Sequence, residues 1–172
     1  MNDVAINTAA TFSSRTALTL EAAQKLLDRC QNLRPHVNFD LHRTTEEIID
    51  IMECIQQNHR NSRYFVGHIY FLTYDGDERH CKAGKAGRFN DGRPGERIGP
   101  YRTHNPLPIK VLALIPIYGS NENLKRYEER IHALLKLSRR PNKREWYNYT
   151  DHVDHILKIV LQYLDFTEYT VL

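Results

Sequence analysis

Two stretches of β-forming residues bound what this chain can fold into. Gly67 opens the run HIYFLTY (68–74), which is followed by a turn at Asp75-Gly76-Asp77 and then by HCKAGKA (80–86). That order of β-branched and aromatic residues around a Gly-containing turn is the pattern of a β-hairpin. After Asn105-Pro106 and Pro108 comes a third run, IKVLALIPI (109–117). In the first run His68, Tyr70 and Leu72 share one face, and Ile69 and Phe71 the other. The expected core is a small three-stranded antiparallel sheet with helices around it, an α+β fold.

The remaining periodicities are helical. Leu20, Ala23, Leu27 and Cys30 mark a helix from Thr19 to Leu33, ended at Arg34-Pro35. Thr44 and Glu47 have the spacing of a capping box, and Ile48, Ile51, Met52 and Ile55 then form an apolar stripe. A short helix is expected from Glu96 to Tyr101, an amphipathic one over 121–137, and a last one from Asp151 to about Leu164. The small, polar residues 1–17 read as a disordered tail, 18–62 as an N-terminal helical extension and 63–172 as the α+β domain. No run approaches the 18 apolar residues of a membrane span, and the N-terminus lacks a signal pattern. Three cysteines with no CxxC argue against a disulfide framework and a zinc ribbon. A cytoplasmic, reducing compartment is the simplest reading.

The formal net charge of +3 conceals an uneven distribution. Residues 61–144 carry 17 basic and 8 acidic side chains, a balance of +9, whereas 1–60 balance at −2 and 145–172 at −4. A basic block of this kind suits a polyanion, most often nucleic acid, or else a solvated cationic face. The Gly-rich loop 87–95 matches neither GxxxxGK[ST] nor GxGxxG, so it does not read as a nucleotide site.

One carboxylate stands out. In the 121–137 helix, Leu124, Tyr127, Ile131, Leu134 and Leu135 form the inward stripe, and Glu128 falls on it while Glu129 points away. A carboxylate on a core-facing stripe costs energy unless it is ion-paired or holds a cation. His132, beside that stripe, reads as a hydrogen-bonded structural histidine. His152 and His155, with Asp151 and Asp154, could share a helix face as metal ligands, but solvated histidines at a helix start explain them more simply. No nucleophile elbow is present.

In order and spacing, these elements resemble the GIY-YIG nuclease superfamily, particularly its phage-associated branch. Gly67-His68-Ile69-Tyr70 resembles the first motif with one residue added. Cys81-Lys82-Ala83-Gly84-Lys85 resembles the second, with Lys82 in place of the tyrosine. Arg97 with Tyr101 looks like the family's arginine and following His/Tyr, with Arg88 and Arg93 as the competing arginines. Glu128 with Ile131-His132 is similar to the branch's ExxLH helix, and Arg144-Glu145-Trp146-Tyr147 to its GEWF ending. The resemblance spans about residues 67–148.

It implies a metal-dependent endonuclease acting on double-stranded DNA. Glu128 would be the ligand of one Mg²⁺ or Mn²⁺, and Tyr70 the general base or water-orienting group. Arg97 would stabilise charge on the scissile phosphate, with Lys82 and Tyr101 assisting. Gly67, Gly84, His132, Glu145, Trp146 and Asn148 would support the site. Lys85, Arg88, Arg93, Arg102, Arg139, Arg140 and Lys143 are the candidates for holding the DNA backbone. Cleavage of both strands by one site per chain implies a homodimer or sequential nicking. The alternative is a module that keeps the fold and binds DNA without cutting, a reading that Lys82 in the second motif supports.

Overall fold

A computed structural model describes residues 11–12, 34–74, 77–87 and 109–165. The expected tail, the 19–33 helix, the Gly-rich loop beyond Gly87 and the 96–101 helix all lie outside them, apart from the short strand β1 (Thr11–Phe12), which pairs with β6 (Leu164–Asp165). The main elements are α1 (Leu41–Asn61), β2 (Phe65–Tyr74), β3 (Asp77–Gly87), β4 (Ile109–Tyr118), α2 (Asn121–Leu135), β5 (Trp146–Asn148) and α3 (Asp151–Tyr163).

The sheet has four antiparallel strands in the order β4-β2-β3-β5, one more than the sequence reading. The extra strand is Trp146–Asn148, too short for a two-residue alternation to announce it. β2 is central, and Val66 to Thr73 are buried without interruption because both of its faces are covered. Pro116, which cannot donate to a ladder, is tolerated because β4 is an edge strand. A register shift between Phe71 and Leu72 puts a bulge at Leu112. It explains how Val111 and Leu114, three apart, both reach the same cluster.

The sheet separates two apolar clusters. On the inner face Ile69, Phe71, Ala83, Ala113 and Ile115 meet Ile51 and Met52 of α1, Tyr127 and Ile131 of α2, and Ile156 and Val160 of α3. On the outer face Tyr70, Leu72, Ala86, Ile109, Val111 and Leu114 form a smaller cluster with Tyr74 and Trp146. The α1 stripe therefore packs into the same core as the sheet. Its helix begins earlier than the capping-box spacing suggested: Asp40 is the N-cap and accepts from the Arg43 N–H at 3.0 Å. Thr44 and Thr45 are buried inside the first turns instead. Ser120 and Thr150 cap α2 and α3 in the ordinary way. Among the described residues no helix is long and apolar enough to cross a membrane.

Candidate functional site

β5 covers only part of β3. It pairs His80, Cys81 and Lys82 with Asn148, Tyr147 and Trp146, after which the Ala83 N–H donates to the Glu145 carbonyl at 3.1 Å. From Gly84 to Gly87 the outer edge of β3 has no strand partner among the described residues. α2 packs against β2 and β3 from the inner face. Its buried stripe contains Glu128, only 8% exposed, as its spacing predicts, while Glu129 is exposed.

Glu128 is held by two neighbours. Lys85 Nζ lies 2.9 Å from Oε2, and His132 Nε2 lies 3.5 Å from Oε1. Burial works to raise the Glu128 pKa, but the hydrogen bonds and charges of His132 and Lys85 prevail and lower it. The other ring nitrogen of His132, Nδ1, is hydrogen-bonded to the Tyr147 hydroxyl, which fixes the ring and turns Nε2 toward Glu128. The sequence left an ion pair or a bound cation as the two ways to keep Glu128 inside; the structure supplies an ion pair, from Lys85.

A second carboxylate completes the cluster. Glu145 sits just before β5 at φ 65°, an uncommon conformation for a non-glycine residue. Its Oε2 accepts from Lys82 Nζ at 2.7 Å. Lys82 is deeply buried, with its ammonium 5.7 Å from the Trp146 ring centroid. Two carboxylates thus lie close together at the open end of β3, each paired with its own lysine. One ligand atom each from Glu128, His132 and Glu145 lies within 4.8 Å of the others, so the three could hold a metal ion. Two carboxylates fit a hard divalent cation such as Mg²⁺, and the imidazole also admits Mn²⁺.

Tyr70 approaches from the other side. It lies opposite Gly84 in the ladder, buried in the outer cluster, and its ring covers that glycine: a Cβ at Gly84 would sit 2.6 Å from the tyrosine hydroxyl. Tyr70 and Glu128 therefore rise from opposite faces of the sheet, yet both reach adjacent residues of β3, Gly84 and Lys85. Gly67 is demanded by its φ of 151° and by the Ala86 carbonyl, 2.2 Å from where a Cβ would be. Trp146 stacks on Tyr74 at 5.7 Å, and Asn148 is exposed at the end of β5.

The loop after α2 closes by the Arg140 N–H donating to the Trp146 carbonyl at 3.0 Å, and leads directly into Glu145. Arg139 and Lys143 are exposed on it and Arg140 is half-buried, so this part of the basic block faces solvent beside the cluster. Arg88, Arg93, Arg97, Tyr101 and Arg102 lie outside the described residues. Two roles were not foreseen. Tyr147 stands behind His132, a placement that follows once WYN is recognised as a strand with Trp146 on the outer face. Lys85 is bound to Glu128, whereas the sequence reading had assigned it to the DNA backbone.

His152 and His155 are not solvated, contrary to expectation. Both rings are fully buried beneath Phe39, with centroids 4.7 and 6.0 Å from it. Thr45 Oγ1 meets His155 Nε2 at 2.9 Å. Asp151 is also buried, accepting the Val37 N–H at 2.8 Å and contacting His36 Nδ1 at 2.6 Å. This polar group ties residues 36–39 to α3. Cys81 is enclosed in the inner core, where burial pushes its thiol pKa far up and leaves it unreactive.

A family profile described as T5orf172 domain matches residues 67–164, more than half of the chain. No curated protein and no solved structure matches it.

Proposed function

The chain belongs to the T5orf172 domain family, and on that premise we propose that it is a divalent-metal-dependent endonuclease that hydrolyses DNA phosphodiester bonds with a GIY-YIG arrangement of groups. The observation that carries this reading is the donor cluster of Glu128, His132 and Glu145 at an open strand edge, flanked by lysines and a basic loop. Glu128, assisted by His132 and Glu145, would hold Mg²⁺ or Mn²⁺. When bound, the ion supplies Lewis acidity at the phosphate and neutralises the leaving oxygen.

The chain's own groups divide the remaining work. Tyr70, locked over Gly84, takes up or orients the proton of the attacking water. Arg97 stabilises the charge that builds on the phosphate, with Lys82 and Tyr101 assisting. Arg88, Arg93, Arg102, Arg139, Arg140 and Lys143 hold duplex DNA on either side through its phosphates. Cutting both strands requires two copies of the chain or two successive nicks.

The test is conversion of supercoiled plasmid. The wild type nicks it with Mg²⁺ or Mn²⁺ and stops with EDTA, and Tyr70→Phe and Arg97→Ala slow it. A second reading is a DNA-binding module without cleavage. It is favoured by Lys82, which stands where the resembling motif has a tyrosine and is already engaged by Glu145. Salt-sensitive duplex binding, with no nicking across metals and pH, would establish that reading over the enzyme.

A further inference from the structure

The two lysines of the cluster are not equivalent. Lys82 is only 5% exposed along its side chain, enclosed by Glu145 and Trp146. Lys85 is 39% exposed and stands on the open edge of β3, so its stem has a path to solvent. Its ammonium is 2.9 Å from Glu128 Oε2, a contact it cannot keep once a dication takes the same carboxylate. Like charges that close repel strongly in a partly dry site.

We propose that Lys85 is the resident counter-ion of Glu128: it neutralises the carboxylate when no divalent cation is held, and is released to a DNA phosphate when one is. This rests on the reading of Glu128 as a cation-holding group. Without the cation, Glu128, Glu145, Lys82 and Lys85 balance to zero, and the site offers a polyanion little. With it, the site gains two positive charges and a freed ammonium at its rim. Cation and DNA must then each strengthen the binding of the other by the same factor, since coupling between two sites is reciprocal. Lys85 is thus a positioning residue whose removal helps one ligand and hinders the other, which a merely structural lysine would not do.

Equilibrium binding tests this in the full chain. Mn²⁺ affinity is read by electron paramagnetic resonance, and duplex affinity by anisotropy of a labelled oligonucleotide with and without Ca²⁺. Lys85→Met and Lys85→Gln should bind Mn²⁺ roughly five- to tenfold more tightly than wild type, the scale set by losing one partly exposed ion pair and its charge. In both variants the gain in duplex affinity on adding Ca²⁺ should shrink. Lys85→Arg, which keeps the competing charge, should stay close to wild type in Mn²⁺ affinity. Unchanged or weaker Mn²⁺ binding by Lys85→Met and Lys85→Gln, while Glu128→Gln abolishes it, overturns the proposal and leaves the cation site standing. Undiminished Mn²⁺ binding by Glu128→Gln overturns the cation site itself, and the role of Lys85 with it.

Discussion

Lowering the pH from 7.5 to 5 should strongly destabilise this protein, and three histidines set the size of the effect. His68, His152 and His155 are all buried, and burial lowers each pKa from 6.5 to about 4. Among the described residues, the neutral His68 Nδ1, His152 Nε2 and His155 Nδ1 have no hydrogen-bond partner, so nothing there would support an added proton at these atoms. For His155 the neighbouring His152 adds to the lowering, and Asp154 and Asp151 only partly offset it. Well above pH 6.5 these rings are neutral whether the chain is folded or not, and their contribution is complete. Below it, the unfolded chain takes up protons that the folded chain refuses, so stability is lost progressively until about pH 4. At pH 5 the loss is about 2 kcal/mol for each ring, or about 6 for the three. That rivals the roughly 5–15 kcal/mol that holds a typical domain together. Urea unfolding followed by circular dichroism at pH 7.5, 6.5, 5.5 and 5 measures it. Stability should be level above pH 7 and then fall, with a slope approaching three protons per molecule near pH 5. His155→Gln should remove about one of those protons. Equal stability at pH 7.5 and pH 5 would refute the reasoning.

Three substitutions probe the site and the strands that carry it. Gly84→Ala places a Cβ 2.6 Å from the Tyr70 hydroxyl and 2.8 Å from its Cζ. It should cost about 1–3 kcal/mol of stability in a thermal melt by overpacking, and reduce cleavage by displacing Tyr70. Gly67→Ala meets both a forbidden φ and the Ala86 carbonyl, and should destabilise by more than about 2 kcal/mol in the same melt. Tyr147→Phe removes the hydroxyl behind His132 and should weaken Mn²⁺ binding roughly tenfold in a titration, with the fold retained by circular dichroism.

Much of this molecule follows from local pattern. Alternation in HIYFLTY put Tyr70 and Ile69 on opposite faces, as the two clusters confirm. Helical spacing alone placed Glu128 inward and Glu129 outward. Contacts made by distant segments were harder to read. The partner of Glu128 comes from β3, 43 positions earlier in the chain, and no spacing rule links Lys85 to it. β5 is only three residues long, so its pairing depends on the sheet already present. His152 and His155 resemble a solvated helix start until Phe39 and Thr45, more than 100 residues away, are seen to cover them. The true N-cap of α1, Asp40, was overshadowed by a better-looking signature four residues on.

The measurement closest to the central claim is the rate of hydrolysis of a short labelled duplex by wild type and Glu128→Gln, at saturating Mn²⁺ and pH 7.5, both shown to be folded. Loss of the carboxylate should lower the rate by roughly a hundred- to a thousandfold, the scale seen when a group stabilising the transition state is removed. Cleavage by Glu128→Gln at the wild-type rate, in a preparation free of other nucleases, would contradict the account.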